Sequence, residues 1–422
     1  MVNKAALSTC IGAFMVTTAS SSFQSWGIVN LYICSFFHNI DPSNTVYTAS
    51  WTYTLGIFCI GIGQNFTPFV VEKFGPRRTC FVGGCIVALG YLLCSMVTSL
   101  ALFIVFYGTL VGFGSGLNFM LGSNVVAKYF TTHRGKVIGI IATGQGFGMV
   151  FCALFFALYC NPSNKSPDVE ASDSEVKYFG PDVTDNVPSV FKWMALLCFA
   201  MFSVGGLLLI PPSLPTSEEE VELLSAQGED ETFKDILKSA KFWKLFLLLH
   251  IGMFSGIWIN LSFKNFGSLY IENDHLLAYI GGVGGLLNGV ARGLFPFLID
   301  YINFYTINIS VIAVLCFIDF VYYYSVGSAV LFSICSVVAL FLLGSHFFPF
   351  SILCMREYGT IEGPKVFSFL GWAANICGIL IGPYYALVGL VGFHFTYTLQ
   401  GLMCLGALYV SYSLRKKDIC NK

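Results

Sequence analysis

The chain has 422 residues, of which 56% are hydrophobic and only 11% charged, with a formal net charge of −1 and a mean hydropathy of +0.74. Soluble domains carry about 25% charged residues, so the composition excludes a soluble globular protein and predicts a chain that crosses a lipid bilayer many times. The near-zero charge and the lack of a basic tract exclude nucleic acid as a partner. The fifteen cysteines, among them Cys10, Cys34, Cys59, Cys94, Cys198, Cys335, Cys377 and Cys404, are scattered through apolar stretches without a CxxC pair. They read as small apolar residues, with no disulfide frame, metal site or cofactor implied.

Apolar runs predict twelve spans, roughly over 7–36, 46–71, 79–97, 99–126, 137–160, 188–211, 242–264, 276–299, 304–325, 328–350, 365–389 and 393–413. Each is long enough to cross a hydrocarbon core with some tilt. The first run is longer than a signal-peptide core and lacks a small-residue cleavage site, so it reads as a retained span. With both termini in the cytoplasm, the inner side collects Lys4, Lys73, Arg77, Arg78, Lys128, Arg134, Lys136, Lys234, Lys238, Lys241, Lys244, Arg356, Lys365, Arg415, Lys416, Lys417 and Lys422. The outer side keeps Lys165, Lys177, Lys192 and, in this reading, Lys264. This bias places the acidic loop 161–187 outside, where Asn164-Lys165-Ser166 is a glycosylation sequon and Pro162 blocks the one at Asn161. The expected location is a plasma membrane, with an organellar membrane as the alternative.

A polar stretch divides the chain into residues 1–211, a linker over 212–241 and residues 242–422. The linker carries Glu218, Glu219, Glu220 and Glu222, a solvated face, and ends in the basic amphipathic piece FKDILKSAKFWK, a helix for the inner membrane surface. The halves look related. Pro68-Phe-Val-Val-Glu72 closes the second span and Pro296-Phe-Leu-Ile-Asp300 closes the eighth. Six spans repeated once are the mark of a carrier that rocks two bundles about a central site.

Several polar groups interrupt the apolar pattern. Gln24 in the first span and Asn375 in the eleventh either line a cavity or cross-link helices. The loop PFVVEKFGPRR places Pro68, Glu72, Lys73, Gly75, Arg77 and Arg78 between the second and third spans. An acid at a helix end, a tight glycine turn and paired arginines suit an inner-face latch that binds carboxylates and helix C-terminal carbonyls; the bland reading is a positive-inside anchor. Residues 112–148 carry Asn118, the Tyr129-Phe130 pair, Arg134 and helix-thinning glycines; GQGFG has neither the preceding strand nor the spacing of a nucleotide loop. His250 in the seventh span is a candidate proton carrier, or a hydrogen-bonded packing residue. Asp319 in the ninth faces a neighbour or the outer rim.

The stretch Gly281–Asp300 is apolar except for Arg292 and Asn288, with Gly281, Gly285, Gly289 and Gly293 at four-residue spacing. Such a stripe admits a second helix at close range. Arg292 stands eight residues before Asp300, about 12 Å inside and near the middle of a ~30 Å core. An ionised residue is costly there and marks a candidate site; the alternative is an arginine that only holds the bundle.

The Pro68–Arg78 loop resembles the signature loop of the major facilitator superfamily, with Pro68 where that family has glycine. Residues 112–148 resemble its monocarboxylate transporters: Tyr129, Phe130, Arg134, Gly139, Gly144 and Gly148 match, His133 replaces one basic residue, and Asn118 falls where that family has asparagine. The eighth span is similar to the same transporters and to the oxalate/formate exchangers, in which an arginine there meets the substrate carboxylate; Arg292 occupies the matching place. Three positions depart from the pattern. Asn288 stands where the monocarboxylate transporters have a proton-carrying aspartate. The first span lacks their lysine, and the eleventh lacks the exchangers' lysine.

The resemblance implies an all-α integral membrane protein of the twelve-helix major facilitator fold, with two pseudo-symmetric six-helix bundles around a midplane cavity. It implies a carrier of small organic anions, monocarboxylates first, working by alternating access as a symporter or exchanger. Protons are a second candidate partner, and an accessory membrane protein is left open. No HExxH, P-loop, GxSxG or paired intramembrane carboxylates occur, so no enzyme is expected. The rivals are an amino-acid carrier and a non-transporting receptor on the same fold.

Overall fold

The computed structural model of the chain describes residues 4–130, 134–171, 174–211, 233–299 and 301–420. Among these residues, nine stretches are helical, long and apolar enough to cross a membrane. Two of them double back, Val46–Cys94 at Gly75 and Lys365–Lys416 at Gly392. The reversal shows in the packing. Gly56 meets Gly112 and Gly63 meets Phe113 and Leu117, whereas Gly83 meets Gly114 and Gly90 meets Val111, in the opposite order. Beyond the second turn, the Tyr384 hydroxyl donates to Thr396 O at 2.6 Å. Gly75 and Gly392 have φ of +77° and +76°, which glycine adopts without a Cβ clash.

The eighth helix, Asp274–Leu298, is a further pass whose glycines and arginine dilute its apolarity. The nine stretches, two of them crossing twice, and the eighth helix together make twelve passes. Among the described residues, the one pair of strands lies in the loop after the fifth helix, Val169–Ala171 paired antiparallel with Ser174–Tyr178.

The first and fourth helices are among those that carry breaks. The first, Lys4–Ile40, passes through a 3₁₀ turn at Ser21–Ser25. Here Ser20, Ser21 and Ser25 turn their hydroxyls back to carbonyls three or four residues earlier, a pattern that bends helices. The fourth contains a π-helical turn at Phe106–Val111. The amphipathic piece of the linker divides into a short helix, Phe233–Lys238, and the start of the seventh helix, where Ser239 caps the Phe242 amide at 3.2 Å. The acidic run at Glu218–Glu222 and the repeat acid Asp300 lie outside the described residues.

The glycine stripe does face a helix of the other bundle. A Cβ on Gly289 would stand 2.8 Å from Gly146 N, and one on Gly293 would stand 3.1 Å from Gly139 O. A Cβ on Gly285 would meet Met149, and one on Gly281 would meet Ile28 of the first helix. The fifth helix, Arg134–Cys160, thus lies backbone to backbone on the eighth. Gly282 is one residue off the stripe, and its nearest neighbour would be 3.9 Å away.

This contrast is testable. Gly289→Ala pushes a methyl into backbone that cannot yield, so it should cost about 1–3 kcal/mol and lower the melting temperature in detergent. Gly282→Ala should leave it within error. Equal effects of the two would remove the stripe as a packing device.

Candidate functional site

Between the bundles lies a cavity of about 110 Å³. The amino-terminal bundle lines it with Gln24, Tyr53, Gln64, Phe119 and Met149, and the carboxy-terminal bundle with Met253, Asn260, Asn288, Arg292 and Asn375, among others. Drug-sized ligands occupy about 300–1,000 Å³, so this space suits a solute of a few heavy atoms. A larger groove, about 550 Å³, runs along the second, third and sixth helices from Val70 to Leu207. It lies within one bundle, and its walls are apolar apart from Arg77, Arg78, Thr79 and Ser203.

Arg292 is held from both bundles. Its Nε donates to Asn288 Oδ1 at 3.0 Å, one helical turn earlier, and one Nη donates to Gln24 Oε1 at 3.1 Å. Gln24 sits in the 3₁₀ turn of the first helix. Asn288, 1% exposed, is itself fixed by donating to Leu340 O at 2.8 Å, so its amide oxygen can only point at the arginine. A guanidinium has five N–H donors, and three remain for a ligand. Among the described residues no carboxylate pairs with Arg292. Placing an arginine at the centre of a membrane helix costs about 2.5–3.5 kcal/mol on insertion scales, and hydrogen bonds to a charged group are worth about 1.5–3 kcal/mol each. Two amide oxygens therefore hold the side chain in place without neutralising it.

The structure brings Gln24, Asn288, Arg292 and Asn375 together and places Asn118 and His250 elsewhere. Asn118 is fully buried in the amino-terminal bundle, 3.4 Å from Cys80 O and Gly114 O; its neighbour Phe119 reaches the cavity instead. His250 gives its Nδ1–H to Ala373 O at 3.0 Å and lies 3.2 Å from Cys377 Sγ. It lines a separate groove with Phe254, Pro383 and Tyr384, because the bond to Ala373 turns the ring toward the eleventh helix. Asp319 faces neighbours, accepting from Ser255 Oγ at 2.8 Å.

Tyr53, Gln64 and Asn260 escaped the sequence reading. Each lies within a predicted span, Tyr53 between Thr52 and Thr54 and Gln64 beside Asn65, and Asn260 Oδ1 is buried with no hydrogen-bond partner among the described residues. Their signal was the same as that of Gln24. Lys264, assigned by the sequence to the outer side, occupies the last turn of the seventh helix, fully buried, and pairs with Asp274 at 2.9 Å.

The loop residues at the other end are placed as follows. Arg77 Nε donates to Leu209 O, the C-cap of the sixth helix, at 2.8 Å. Pro68, Glu72, Lys73 and Arg78 are exposed, and Pro296 lies within the eighth helix. Arg356 caps Ile299 O at 3.1 Å, so an arginine closes a helix end in each half. Arg134 begins the fifth helix, and its side chain lies outside the described set. Asn164, the sequon residue, hydrogen-bonds across the bundles, donating to Asn273 Oδ1 at 3.0 Å and accepting from His275 N at 2.8 Å.

Membrane-length helices in two bundles around a small polar cavity form a transporter-type fold, and the chain belongs to the Major Facilitator Superfamily, whose model matches residues 6–383. Among its relatives are Apicoplast pyruvate carrier 1 of Toxoplasma gondii, 25% identical over 76% of this chain and 66% of that one, and Monocarboxylate transporter 13 of Bos taurus, 35% identical over 31% and 30%. The Oxalate:formate antiporter of Oxalobacter formigenes is 22% identical over 74% and 69%. The chain thus spans just under two thirds of the first of these and less than a third of the second. The crystal structure of a D-xylose-proton symporter shares the fold, with a TM-score of 0.68 over 96% of both chains at 13% identity. The family and the solved structure that shares its fold are transporters rather than enzymes.

Asn288→Asp tests the geometry of the arginine. A carboxylate at that position neutralises Arg292 and cannot donate to Leu340 O, so ligand affinity in equilibrium binding should fall by about tenfold or more. Unchanged affinity would mean that the guanidinium does not meet the ligand.

Proposed function

We propose that the chain carries small monocarboxylates of the lactate, pyruvate or formate type by alternating access. The observation that carries this reading is Arg292, a cation held by two neutral amides in a cavity of about 110 Å³. One carboxylate neutralises it through a planar fork of hydrogen bonds. A second negative charge has no cation to meet among the lining residues. An amino acid, the alternative solute, brings an ammonium group that finds Asn260, Gln64 and Asn375 but no carboxylate. The relatives named for pyruvate, monocarboxylates and oxalate:formate exchange support an organic anion.

Arg292 is then the substrate residue, Gln24 and Asn288 position it, and Asn375 completes the wall. Among the lining residues only Arg292 and Tyr53 are ionisable, and Asn288 cannot titrate. This favours exchange or facilitated diffusion over proton symport. His250, in its separate groove, is the sequence-derived candidate should protons be coupled. The lysine and arginine bias supports both termini in the cytoplasm and the 161–187 loop outside, and the reading takes the membrane to be a plasma membrane. In that orientation Asn164 faces the side where glycans are added, and Glu72, Lys73, Arg77 and Arg78 form the inner latch.

Arg292→Lys keeps the charge but loses the fork. Uptake into proteoliposomes should fall about tenfold or more while the protein still inserts. Near-native uptake would remove Arg292 from the substrate site. An inward proton gradient should not drive monocarboxylate above its equilibrium distribution; accumulation would reinstate a titrating group.

The latch reading makes a separate prediction. Glu72 and Arg77 lie at the helix ends, roughly 15 Å from the midplane. Glu72→Ala and Arg77→Ala should lower maximal rate and leave KM near native. A raised KM with unchanged maximal rate would contradict this role.

A further inference from the structure

At the end of the bundles away from Gly75, Lys264 and Asp274 form a buried ion pair, 0% and 1% exposed, with Nζ 2.9 Å from Oδ1. Local structure favours both charges. Lys264 occupies the last turn of the seventh helix and Asp274 the first turn of the eighth, where helix ends stabilise a cation and an anion respectively. Both residues belong to the carboxy-terminal bundle, and the groups that cover them belong to the other one. The Tyr32 hydroxyl donates to Asp274 Oδ2, and Asn161 Nδ2 donates to the same oxygen at 3.0 Å. The Lys264 ammonium stands 3.8 Å from the centroid of the Tyr32 ring. Around them His275 Nε2 donates to Asn161 O at 2.7 Å, and Asn164 bridges to Asn273 and His275 N. The ring of Phe179, from the loop that carries the hairpin, stacks on Tyr32 at 5.0 Å. Lys165 sends its ammonium away, to Asp182.

We propose that this cluster is the outer gate of the transport path, and that Lys264, Asp274, Tyr32 and Asn161 set which side of the Arg292 cavity opens. Burial of an ion pair nearly cancels its Coulomb gain unless further hydrogen bonds satisfy it. Here the amino-terminal bundle supplies those bonds. When the bundles part at this end, Tyr32 and Asn161 withdraw and water takes their place on Asp274, while the pair stays together within its own bundle. The two arrangements are close in free energy, which a gate that opens in every cycle requires. Static packing would not need charges, since an apolar cluster of equal volume seals as well. The proposal rests on the alternating-access reading above but not on the identity of the substrate.

Two measurements test it. Cys160, the residue before Asn161, is fully buried. In sealed membranes treated from outside with a charged, impermeant thiosulfonate, native Cys160 should react slowly. Asp274→Asn should raise its rate about tenfold or more, read by peptide mass spectrometry. Tyr32→Phe keeps the ring, removes one hydroxyl and should give a smaller rise; it decides the matter if the aspartate variant fails to insert. In the second measurement, Asn164→Cys with Asn273→Cys is joined by a short bifunctional thiosulfonate. Uptake should stop and return on reduction. Native labelling rates in both gate variants, or full uptake by the cross-linked protein, would overturn the gate. The labelling arm uses no substrate, so it stands even if monocarboxylates prove not to be carried.

Discussion

A guanidinium that pairs with no carboxylate among the described residues, held between the bundles by two amides, is the constraint on which the rest of the structure depends. Arg292 cannot leave its helix and cannot stay there unsatisfied. The Asn288 amide is fixed by the Leu340 carbonyl, and Gln24 reaches over from the other bundle. Those contacts satisfy part of the donor set and none of the charge. In a low-dielectric cavity the remaining charge is a strong attraction for one anion, and the small volume limits which anion fits.

A site of this kind works only if the bundles around it can close without trapping it. The fifth and eighth helices meet through glycines, so their backbones touch with few side chains to interdigitate. Such a contact has little side-chain order to lose when the helices slide or tilt. Polar groups at the hairpin end supply the directional part of the closure. Tyr32, Asn161 and Asn164 reach from one bundle to Asp274, Asn273 and His275 of the other. In the proposed alternating-access cycle, smooth glycine contact along the helices and a discrete polar cluster at their end are complementary parts of one rocking interface.

Much of this was legible in the sequence. The spans, the glycine stripe and Arg292 follow from apolar runs and from one charge where no charge is cheap. Gly75 was read as a turn, and its φ of +77° accords with that. The burial of Lys264 was not legible, because it sits close to a predicted span end, where a lysine ordinarily snorkels to the interface. Its partner Asp274 is ten residues further along the chain, and nothing in the spacing tells that Tyr32 closes over both. Asn118 and His250 show the converse limit. Each is a polar residue at a plausible depth, yet helix rotation turns one into the bundle interior and the other toward Ala373. Depth along a helix can be counted from sequence, whereas the direction a side chain faces depends on which neighbours pack against it.

The measurement that bears most directly on the central claim is competition for uptake in proteoliposomes that contain the purified protein. A labelled monocarboxylate is the tracer, and unlabelled pyruvate, oxalate and alanine are the competitors, all at one pH. The account predicts that pyruvate competes strongly, because one carboxylate neutralises one guanidinium, and that oxalate and alanine compete weakly, because each brings a second charge the cavity does not match. Equal competition by alanine, or stronger competition by oxalate, would contradict it.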